Sequence, residues 1–235
     1  MQIQGTIIPL TWESEFFGFD HGRLVLGEGT SLSHSEMDQY PLLQAKAAAE
    51  DYTAITWLNQ LGFQLAEGEA TLTMSLDNTE RQPGIRVARP QQIPELRQAA
   101  CREIVYSRFR QPWYRTDQSQ QFYAQWIENA VNGQFDDQCL VACGAQGEIF
   151  GFASVRAKGE EARLGLLAVA PDQQGQGVGQ RLLLAAADWG RVRGAKRLAI
   201  TTQLSNVIAM RLYLRNGARL ENTAYWFYRS ADDSL

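Results

Sequence analysis

The sequence contains few of the residues that build metal centres or disulfide frameworks. Among 235 residues there are three cysteines and two histidines, and neither histidine lies near a cysteine pair. An odd cysteine count without regular spacing does not indicate a disulfide scaffold, and a zinc site needs a cluster of such ligands. We therefore expect neither a disulfide framework nor a bound metal.

Excess positive charge and long apolar runs are also lacking. The formal net charge is −4 at pH 7, whereas a protein that coats nucleic acid presents a basic surface. No stretch approaches the roughly 20 apolar residues of a membrane span, and the N-terminus lacks the pattern of a signal peptide. The hydrophobic fraction of 45% is ordinary for a packed domain. The sequence thus predicts a cytoplasmic protein that binds neither nucleic acid nor membrane.

A polar segment, residues 77–84, divides the chain. It ends in the turn signal Pro83-Gly84, and we interpret it as a linker between an N-terminal α/β lobe, residues 1–76, and a larger domain, residues 85–235. Hydrophobic periodicity after the linker predicts an α/β fold in the order β-α-α-β-β-β-α-β-α-β, which implies a mixed sheet with helices on both sides. The predicted helices cover residues 93–108, 118–131, 179–192 and 205–216, and the predicted strands cover 85–88, 139–143, 149–155, 163–169, 197–201 and 223–228.

The N-terminal lobe contains an echo of the end of the chain. Residues 54–61 are typical of a helix, Gly62 of its end, and residues 70–76 of a strand. The same order recurs near the C-terminus around Gly217. Either the lobe is a shortened copy of the larger domain, or a short helix-Gly-strand unit has arisen twice by chance.

A glycine-rich segment follows the apolar strand 163–169, which we expect to be buried on both faces, and opens a helix. Gly175, Gly177 and Gly179 alternate with other residues, so the backbone can approach a ligand and adopt positive φ. The N–H groups at a helix start favour an anion, which predicts a pyrophosphate cradle. The segment lacks the Gly-Lys-Ser/Thr of a P-loop and the spacing of a Rossmann loop. The alternative is a glycine-rich turn without a ligand.

Residues 174–179 resemble the Gln/Arg-x-x-Gly-x-Gly/Ala loop of the GNAT superfamily of N-acetyltransferases. A later segment, Asn206-x-x-Ala209-x-x-Leu212-Tyr213-x-x-Asn216-Gly217, resembles that superfamily's second signature. The resemblance covers residues 85–229 and implies the GNAT acyl-CoA N-acyltransferase fold, with acetyl-CoA as co-substrate and no metal. The cofactor-binding residues that it implies are Leu167, Ala168, Val169, Gln174, Gly175, Gln176, Gly177, Val178, Gly179, Gln180, Arg181, Leu182, Asn206 and Leu212.

The resemblance also implies catalytic roles. Asn206 would hold the pantetheine arm, and Tyr213 would act as general acid toward the departing CoA thiolate, although a packed core aromatic is the alternative for Tyr213. Backbone N–H groups of residues 167–169 would stabilise the oxyanion. Glu67 is our candidate for the base. Residues 67–69 are typical of a Gly-broken turn before a strand, and the alternative is that their glutamates are solvated.

Strings in both lobes resemble, within the GNAT superfamily, N-acetyltransferases that act on nucleotide-sugar amines; they include residues 9–18, 61–69, 107–114, 122–131 and 223–226. This implies a nucleotide-sugar substrate. Arg108 and Arg110 suit its diphosphate because a guanidinium fork matches phosphate oxygens, and Trp113 and Tyr114 could stack on its base or sugar. The alternative is that the arginines are solvated and that Trp113 fills the interface between the lobes.

Two other functions stay open. The chain could acetylate a protein or peptide amine, or it could be a non-catalytic binding protein that responds to acetyl-CoA. The apolar terminal strand, residues 225–228, could pair with a second copy of the chain, so we expect a homodimer.

Overall fold

The computed structural model describes residues 4–27, 29–77 and 79–231, so Asn78 of the predicted linker lies outside the described residues. The elements before the linker are β1 (Gln4–Pro9), α1 (Thr11–Phe17), β2 (His21–Leu26), β3 (Thr30–Ser31), α2 (His34–Met37), β4 (Leu42–Ala48), α3 (Tyr52–Gln60) and β5 (Gln64–Ser75). The elements after it are β6 (Ile85–Val87), α4 (Ile93–Glu103), α5 (Thr116–Val131), β7 (Gln138–Cys143), β8 (Ile149–Lys158), β9 (Glu161–Val169), α6 (Val178–Val192), β10 (Arg197–Gln203), α7 (Val207–Arg215) and β11 (Arg219–Ser230).

These strands form one mixed sheet in the order β3-β1-β2-β4-β11-β5-β10-β9-β8-β7-β6. Most neighbours are antiparallel, whereas β2 with β4 and β9 with β10 are parallel. Strand β5 comes from the N-terminal lobe, yet it lies between β10 and β11 and pairs antiparallel with both. The predicted mixed α/β sheet is confirmed. The division of the chain into two domains at residues 77–84 stays a prediction. Strands from both sides of this segment belong to the same sheet.

Helices cover both faces of the sheet, as predicted. Along β7, Leu140 belongs to the core beneath α6, while its neighbour Val141 belongs to the core beneath α4 and α5. The same alternation in β4 sends Leu42 to the core on the α4–α5 side and Leu43 to a third core beneath α3. Strand β9 contributes to the cores on both faces, as its apolar sequence predicts. We call the side with α4 and α5 the acceptor face, because the residues predicted to bind the acceptor, between positions 108 and 114, lie between these two helices.

The helix-Gly-strand echo has the same local geometry in both places. Gly62 and Gly217 follow α3 and α7 with φ of 82° and 89°. In both caps the next residue's N–H reaches five residues back, from Phe63 to Leu58 O and from Ala218 to Tyr213 O. The strands that follow, β5 and β11, are antiparallel neighbours. The recurrence is therefore real as local structure, while common descent of the two units stays a prediction.

The predicted helices and strands after the linker are all present, with two clear errors of extent. Strand β11 begins at Arg219 rather than at residue 223. The helix predicted over residues 93–108 ends at Glu103. Residues 104–115 leave the helix and cross the acceptor face instead, where Ser107 Oγ bonds to Tyr123 Oη of α5 at 2.7 Å. Tertiary contacts of this crossing segment thus override its helical periodicity.

Two further expectations about strands are wrong. Residues 67–69 are not a turn, because they lie inside β5. Gly68 is needed there for close approach, since a Cβ would come within 2.6 Å of the Leu204 side chain. The terminal strand 225–228 is not an edge, because β11 lies between β4 and β5 and Tyr228 is fully buried. Burial within the sheet explains its apolar sequence, so this strand gives no ground for the predicted homodimer.

Candidate functional site

Strands β9 and β10 separate at their C-terminal ends. They pair in parallel from Arg197 with Glu161 to Ile200 with Leu164, and then the pairing stops. Both strands continue: β9 stays paired with β8, while β10 stays paired with β5 as far as Gln203. The result is a gap in the sheet between two diverging strands. We call this gap the strand split.

A β-bulge in β9 sits at the start of the split. The register with β8 shifts between Ala153–Leu167 and Val155–Leu164, so β9 has one extra residue there. Ser154 Oγ fills the missing place in the ladder, since it accepts the Leu166 N–H at 2.9 Å. The same hydroxyl donates to buried Asp136 Oδ2 at 2.5 Å.

The Asp136 carboxylate also accepts the Trp126 indole N–H at 2.8 Å. A Cβ on Gly165 would overlap both Asp136 Oδ2 and Ser154 Oγ, which explains the glycine at the bulge. The sequence analysis missed Asp136 and Ser154. They lie 18 residues apart on different elements, so no local pattern connects them.

Two backbone donors of β9 point into the split. Ala170 N–H donates to Phe150 O of β8, and Ala168 pairs with Phe152 of the same strand. Because successive N–H groups of a strand point to opposite edges, those of Leu167 and Val169 point away from β8. The split therefore presents two fixed N–H donors, as an oxyanion site requires.

The glycine-rich loop lies next to the split and leads into α6. Gly175 and Gly177 have φ of 74° and 77°, and a Cβ on either would meet no atom within 4 Å. The first helical bond runs from Arg181 N–H to Gly177 O, so the N–H groups before residue 181 have no partner in the helix turn. Open space and free donors at a helix N-terminus fit a pyrophosphate.

Two glutamine side chains of the glycine-rich loop donate hydrogen bonds to nearby backbone carbonyl groups. Gln174 Nε2 donates to Val169 O at 3.2 Å, and Gln176 Nε2 donates to Asp172 O at 2.8 Å. These side chains shape the loop, which leaves its backbone for a ligand. By contrast, Val178 and Leu182 are buried in the core beneath α6.

Helix α7 borders the loop on the other side. A Cβ on Gly179 would lie 3.3 Å from Leu212 Cδ2, so glycine allows α6 and α7 to approach closely. Gln180 Nε2 joins the two helices through Asn216 Oδ1 at 2.9 Å. Asn206 caps α7, since its Oδ1 accepts the Ala209 N–H at 3.1 Å. Its amide nitrogen is the end that remains for a ligand.

Tyr213 lies on α7 and is buried in the core beneath α6. Burial raises the pKa of its phenol above the usual range. The hydroxyl therefore keeps its proton at neutral pH. Among the described residues no hydrogen bond to this hydroxyl is present. The structure thus combines the two expectations for Tyr213: it is a core aromatic, and it is a protonated phenol on the helix that borders the split.

Glu67 lies beside the end of β10. Its Oε2 accepts from Ser205 Oγ at 3.1 Å, and its Oε1 accepts the Gly68 N–H at 2.8 Å. Ser205 follows β10 at the mouth of the split. Glu69 is engaged differently, since it pairs with Lys46 Nζ at 2.5 Å and accepts from Trp226 Nε1 at 2.8 Å. Of these two glutamates, only Glu69 forms an ion pair among the described residues.

The four residues predicted to bind the acceptor have different surroundings. Arg108 is half-buried on the acceptor face, where its Nη1 donates to Gln44 Oε1 at 2.7 Å and to Tyr228 Oη at 2.6 Å. Arg110 is bound to backbone, because its Nε and Nη2 both donate to Ala66 O. Its guanidinium fork is therefore occupied by β5, contrary to the expectation that it is aimed at a diphosphate.

Trp113 and Tyr114 are only 6% and 1% exposed. Tyr114 bonds to His21 Nε2 at 3.1 Å, and its ring packs against Phe17. A ring without a free face cannot stack on a ligand, so the structure does not support the predicted stacking role. Tyr114 instead joins the N-terminal lobe to the crossing segment through His21 and Phe17, whereas Trp113 packs edge-on against Tyr228 of β11.

His21 is fully buried beside Tyr114. Burial lowers the pKa of its imidazole, and the bond from Nδ1 to Phe19 O at 2.8 Å only partly opposes this effect. A carbonyl can only accept, so Nδ1 carries the proton and Tyr114 Oη donates to Nε2 in the neutral ring. Protonation of Nε2 would reverse the direction of that second bond, with Tyr114 Oη as the acceptor.

Within the described ranges 4–27, 29–77 and 79–231, no group of three or more His, Cys, Asp or Glu side chains is placed to hold a metal ion. No helix in the same ranges has the length and apolar character needed to cross a membrane.

Comparisons with known proteins agree with this geometry. The family model described as Acetyltransferase (GNAT) family matches residues 99–218, about half of the chain. The dTDP-fucosamine acetyltransferase of Escherichia coli O6:H1 is 42% identical over 231 residues, which cover 97% of this chain and 100% of that protein.

Solved structures share the fold at low identity. A GCN5-related N-acetyltransferase from Sphaerobacter thermophilus matches with a TM-score of 0.60 and 17% identity over 86% of this chain and 65% of its own. A tandem GNAT protein from the clavulanic acid pathway matches with a TM-score of 0.60 and 14% identity over 92% of this chain and 76% of its own. With the strand split, the α6 loop and the full-length relative all in agreement, the chain belongs to the acetyltransferase (GNAT) family.

Proposed function

We propose that this acetyltransferase transfers the acetyl group of acetyl-CoA to the 4-amino group of dTDP-4-amino-4,6-dideoxygalactose (dTDP-fucosamine). The observation that carries the proposal is the extent of the 42% identity, which includes the N-terminal strands as well as the donor loop. Those strands supply part of the acceptor face, including Gln44 and Lys46 of β4, so the likeness extends to the part of the molecule that would choose the acceptor.

The donor would lie along the loop and the split. Acetyl-CoA, the donor used by this family, supplies an activated thioester. The free N–H groups before residue 181 would hold its pyrophosphate, and the N–H groups of Leu167 and Val169 would stabilise negative charge on the thioester carbonyl oxygen. Asn206 and Leu212, on the neighbouring α7, would line the pantetheine arm.

The acceptor amine must lose a proton to attack. Glu67, hydrogen-bonded to Ser205 at the mouth of the split, would take that proton directly or through water. The amine nitrogen then forms a bond to the acetyl carbon, the carbon–sulfur bond breaks, and Tyr213 gives a proton to the sulfur. The position of Tyr213 on α7, the helix that follows β10 beyond the split, supports this role, and its buried phenol is protonated at neutral pH as a proton donor must be.

A thiol-release assay tests the proposed reaction. We expect CoA release to require the dTDP-amino sugar, with a lysine-rich peptide giving only the background rate. Release with the peptide and none with the sugar nucleotide would favour the peptide acetyltransferase. Release with neither, together with thermal stabilisation by acetyl-CoA, would favour the non-catalytic binding protein. The finer expectations of a role in enterobacterial common antigen synthesis, a cytoplasmic location and a homodimer belong to this proposal.

The role of Glu67 has its own test. Glu67→Gln should lower kcat by about 10²-fold and flatten the limb of the pH–rate profile that rises with pH, because the base is gone. Glu50→Gln, on the exposed turn before α3, is the matched control. A wild-type profile in the Glu67 variant would assign proton removal to water alone.

A further inference from the structure

Two rows of side chains cross the acceptor face from strand to strand. Arg23 of β2 pairs with Gln44 of β4, and Gln44 pairs with Tyr228 of β11. One row on, Lys46 of β4 pairs with Trp226 of β11. Residues two apart on a strand share a face, so all five side chains lie on the same side of the sheet.

Arg108 lies over both rows. Its Nη1 is fixed by Gln44 Oε1 and Tyr228 Oη in the first row. Its guanidinium carbon lies 4.1 Å from the ring centroid of Trp226 in the second row and 4.2 Å from that of Phe109 above. The guanidinium is thus held rigidly between two aromatic rings, with its remaining nitrogens away from these bonds.

Three cations surround the Trp226 ring. Besides Arg108, Arg23 Cζ and Lys46 Nζ lie 5.5 Å and 5.4 Å from its centroid. Glu69 neutralises Lys46. Among the residues that the structure describes, neither arginine has a carboxylate within ion-pair distance. Two half-buried positive charges therefore lie near the same ring without a counter-ion among the described residues, an arrangement that an anion would stabilise.

Two buried nitrogen atoms in this cluster also lack partners. The Gln44 side chain is fully buried, yet its Nε2 has no acceptor among the described residues, and the buried Arg23 Nε has none there either. Buried donors are normally satisfied, so such atoms need an explanation. An anion that bears several oxygens would balance both charges, and it would accept from both nitrogens once the two side chains turn toward it.

We propose that Arg23, Gln44, Lys46 and Arg108 form a diphosphate site around Trp226. This inference rests on the proposed function for the identity of the ligand, a nucleoside diphosphate sugar. Glu67 pairs with Trp226 across β5 and β11, so the proposed base is one strand, about 5 Å, from the centre of the site. A hexose ring bridges that interval, with its amine toward Glu67 and its diphosphate toward the arginines.

Calorimetric titration with inorganic pyrophosphate, dTDP and thymidine tests the site. Saturating CoA is present throughout, so the loop before α6 cannot bind the added diphosphate. We expect wild-type protein to bind pyrophosphate and dTDP, and thymidine at least 10-fold more weakly. Arg23→Gln should weaken both diphosphates by about 10-fold, the value of a lost charge-assisted hydrogen bond, and Arg23→Lys should lie between.

Arg193→Gln is the matched control, because Arg193 stacks on Trp189 with its Cζ 3.9 Å from the ring centroid but lies at the end of α6. It should bind both diphosphates like the wild type. Wild-type binding by Arg23→Gln, or no binding of pyrophosphate or dTDP by the wild type, overturns the diphosphate site. Arg23-dependent binding without acetylation of the dTDP-amino sugar would keep the site and reject the proposed acceptor. If the Arg23→Gln variant acetylates the dTDP-amino sugar with an unchanged KM for that substrate, the proposed acceptor is kept and the diphosphate site is rejected.

Discussion

The donor and acceptor sides of this protein are built in different ways. The proposed donor side is built mainly from backbone: positive-φ glycines, free N–H groups at the start of α6, and a bulge that opens β9 from β10. The acceptor side consists of side chains from distant parts of the chain, with Arg23, Lys46, Arg108 and Trp226 brought together by four separate segments.

This difference explains why one side is easier to recognise than the other. A backbone site needs glycine at fixed spacing, so it leaves a contiguous pattern in the sequence. A side-chain site needs only that the right residues meet after folding, and it leaves no spacing to detect. Any acetyl-CoA enzyme of the family can therefore use the same donor side, whereas the residues of the acceptor side would determine which amine this enzyme acetylates.

Gly179→Trp should break the donor side alone. Nothing larger than a methyl group fits between Gly179 and Leu212, so the indole would displace α7 or block the loop. We expect acetyl-CoA binding to weaken by about 100-fold or more, with binding of dTDP unchanged. Calorimetric titration measures both. Arg191→Trp, on the exposed last turn of α6, is the control. Equal losses for both ligands would contradict the separation of the two sides.

Tyr213→Phe should leave both sides intact and still slow the reaction. We expect kcat to fall by about 10²-fold while both KM values stay near wild type, because the phenol acts only on the departing sulfur. The fold should survive, since the variant removes one hydroxyl and no hydrogen bond seen among the described residues. Steady-state thiol release measures the effect, and near wild-type turnover would remove Tyr213 from the role of acid.

Ser154→Ala tests the boundary between the two sides. The variant deprives Leu166 N–H and Asp136 Oδ2 of a buried partner, which should cost about 1–3 kcal/mol of unfolding free energy. If the bulge also aims the Leu167 and Val169 N–H groups, kcat should fall about 10-fold, within the range of a weakened oxyanion donor. Urea unfolding and kcat are measured together; a loss of stability at unchanged kcat would limit Ser154 to a structural role.

The smallest effect concerns His21 beneath the acceptor face. Its folded-state pKa lies below the unfolded value of 6.5, so the unfolded chain binds more protons in this window. The free energy of unfolding should therefore fall by about 1 kcal/mol as pH drops from 7.5 to 5.5. His21→Gln should lose this part of the pH dependence, whereas the exposed His34→Gln should keep it. Identical slopes in urea unfolding for both variants would contradict the assignment.

Much of the fold after the linker could be predicted, because periodicity and glycine stops are local signals. Helix α5 and strands β7 and β10 lie within two residues of their predicted bounds. The helix end at Glu103 could not be predicted, since contacts of Ser107 and Arg108 with distant elements decide it. For the same reason the sequence suggested a turn at residues 67–69, where only the sheet reveals a strand.

The sequence predicts the glycine-rich loop of the candidate site better than it predicts the side chains of the acceptor face. The loop from Gln174 to Gly179 follows from glycine spacing, and its geometry fits the predicted pyrophosphate. The sequence allows Trp113 and Tyr114 to stack on a base or a sugar, but sequence alone does not give their burial. Arg23 and Lys46 could not be predicted as site residues, since a lone cation on a strand is typical of a solvated edge.

The position of β5 has a consequence for how this chain must be synthesised. Strand β5 emerges from the ribosome early, but both of its partners, β10 and β11, are among the last strands to be made. Until then its edges and the unfilled sheet offer bare hydrogen-bonding groups to other nascent chains. A fragment that began at residue 85 would lack β5, so the facing edges of β10 and β11 would have no strand between them. Full-length synthesis and late closure are thus conditions for a correctly paired sheet.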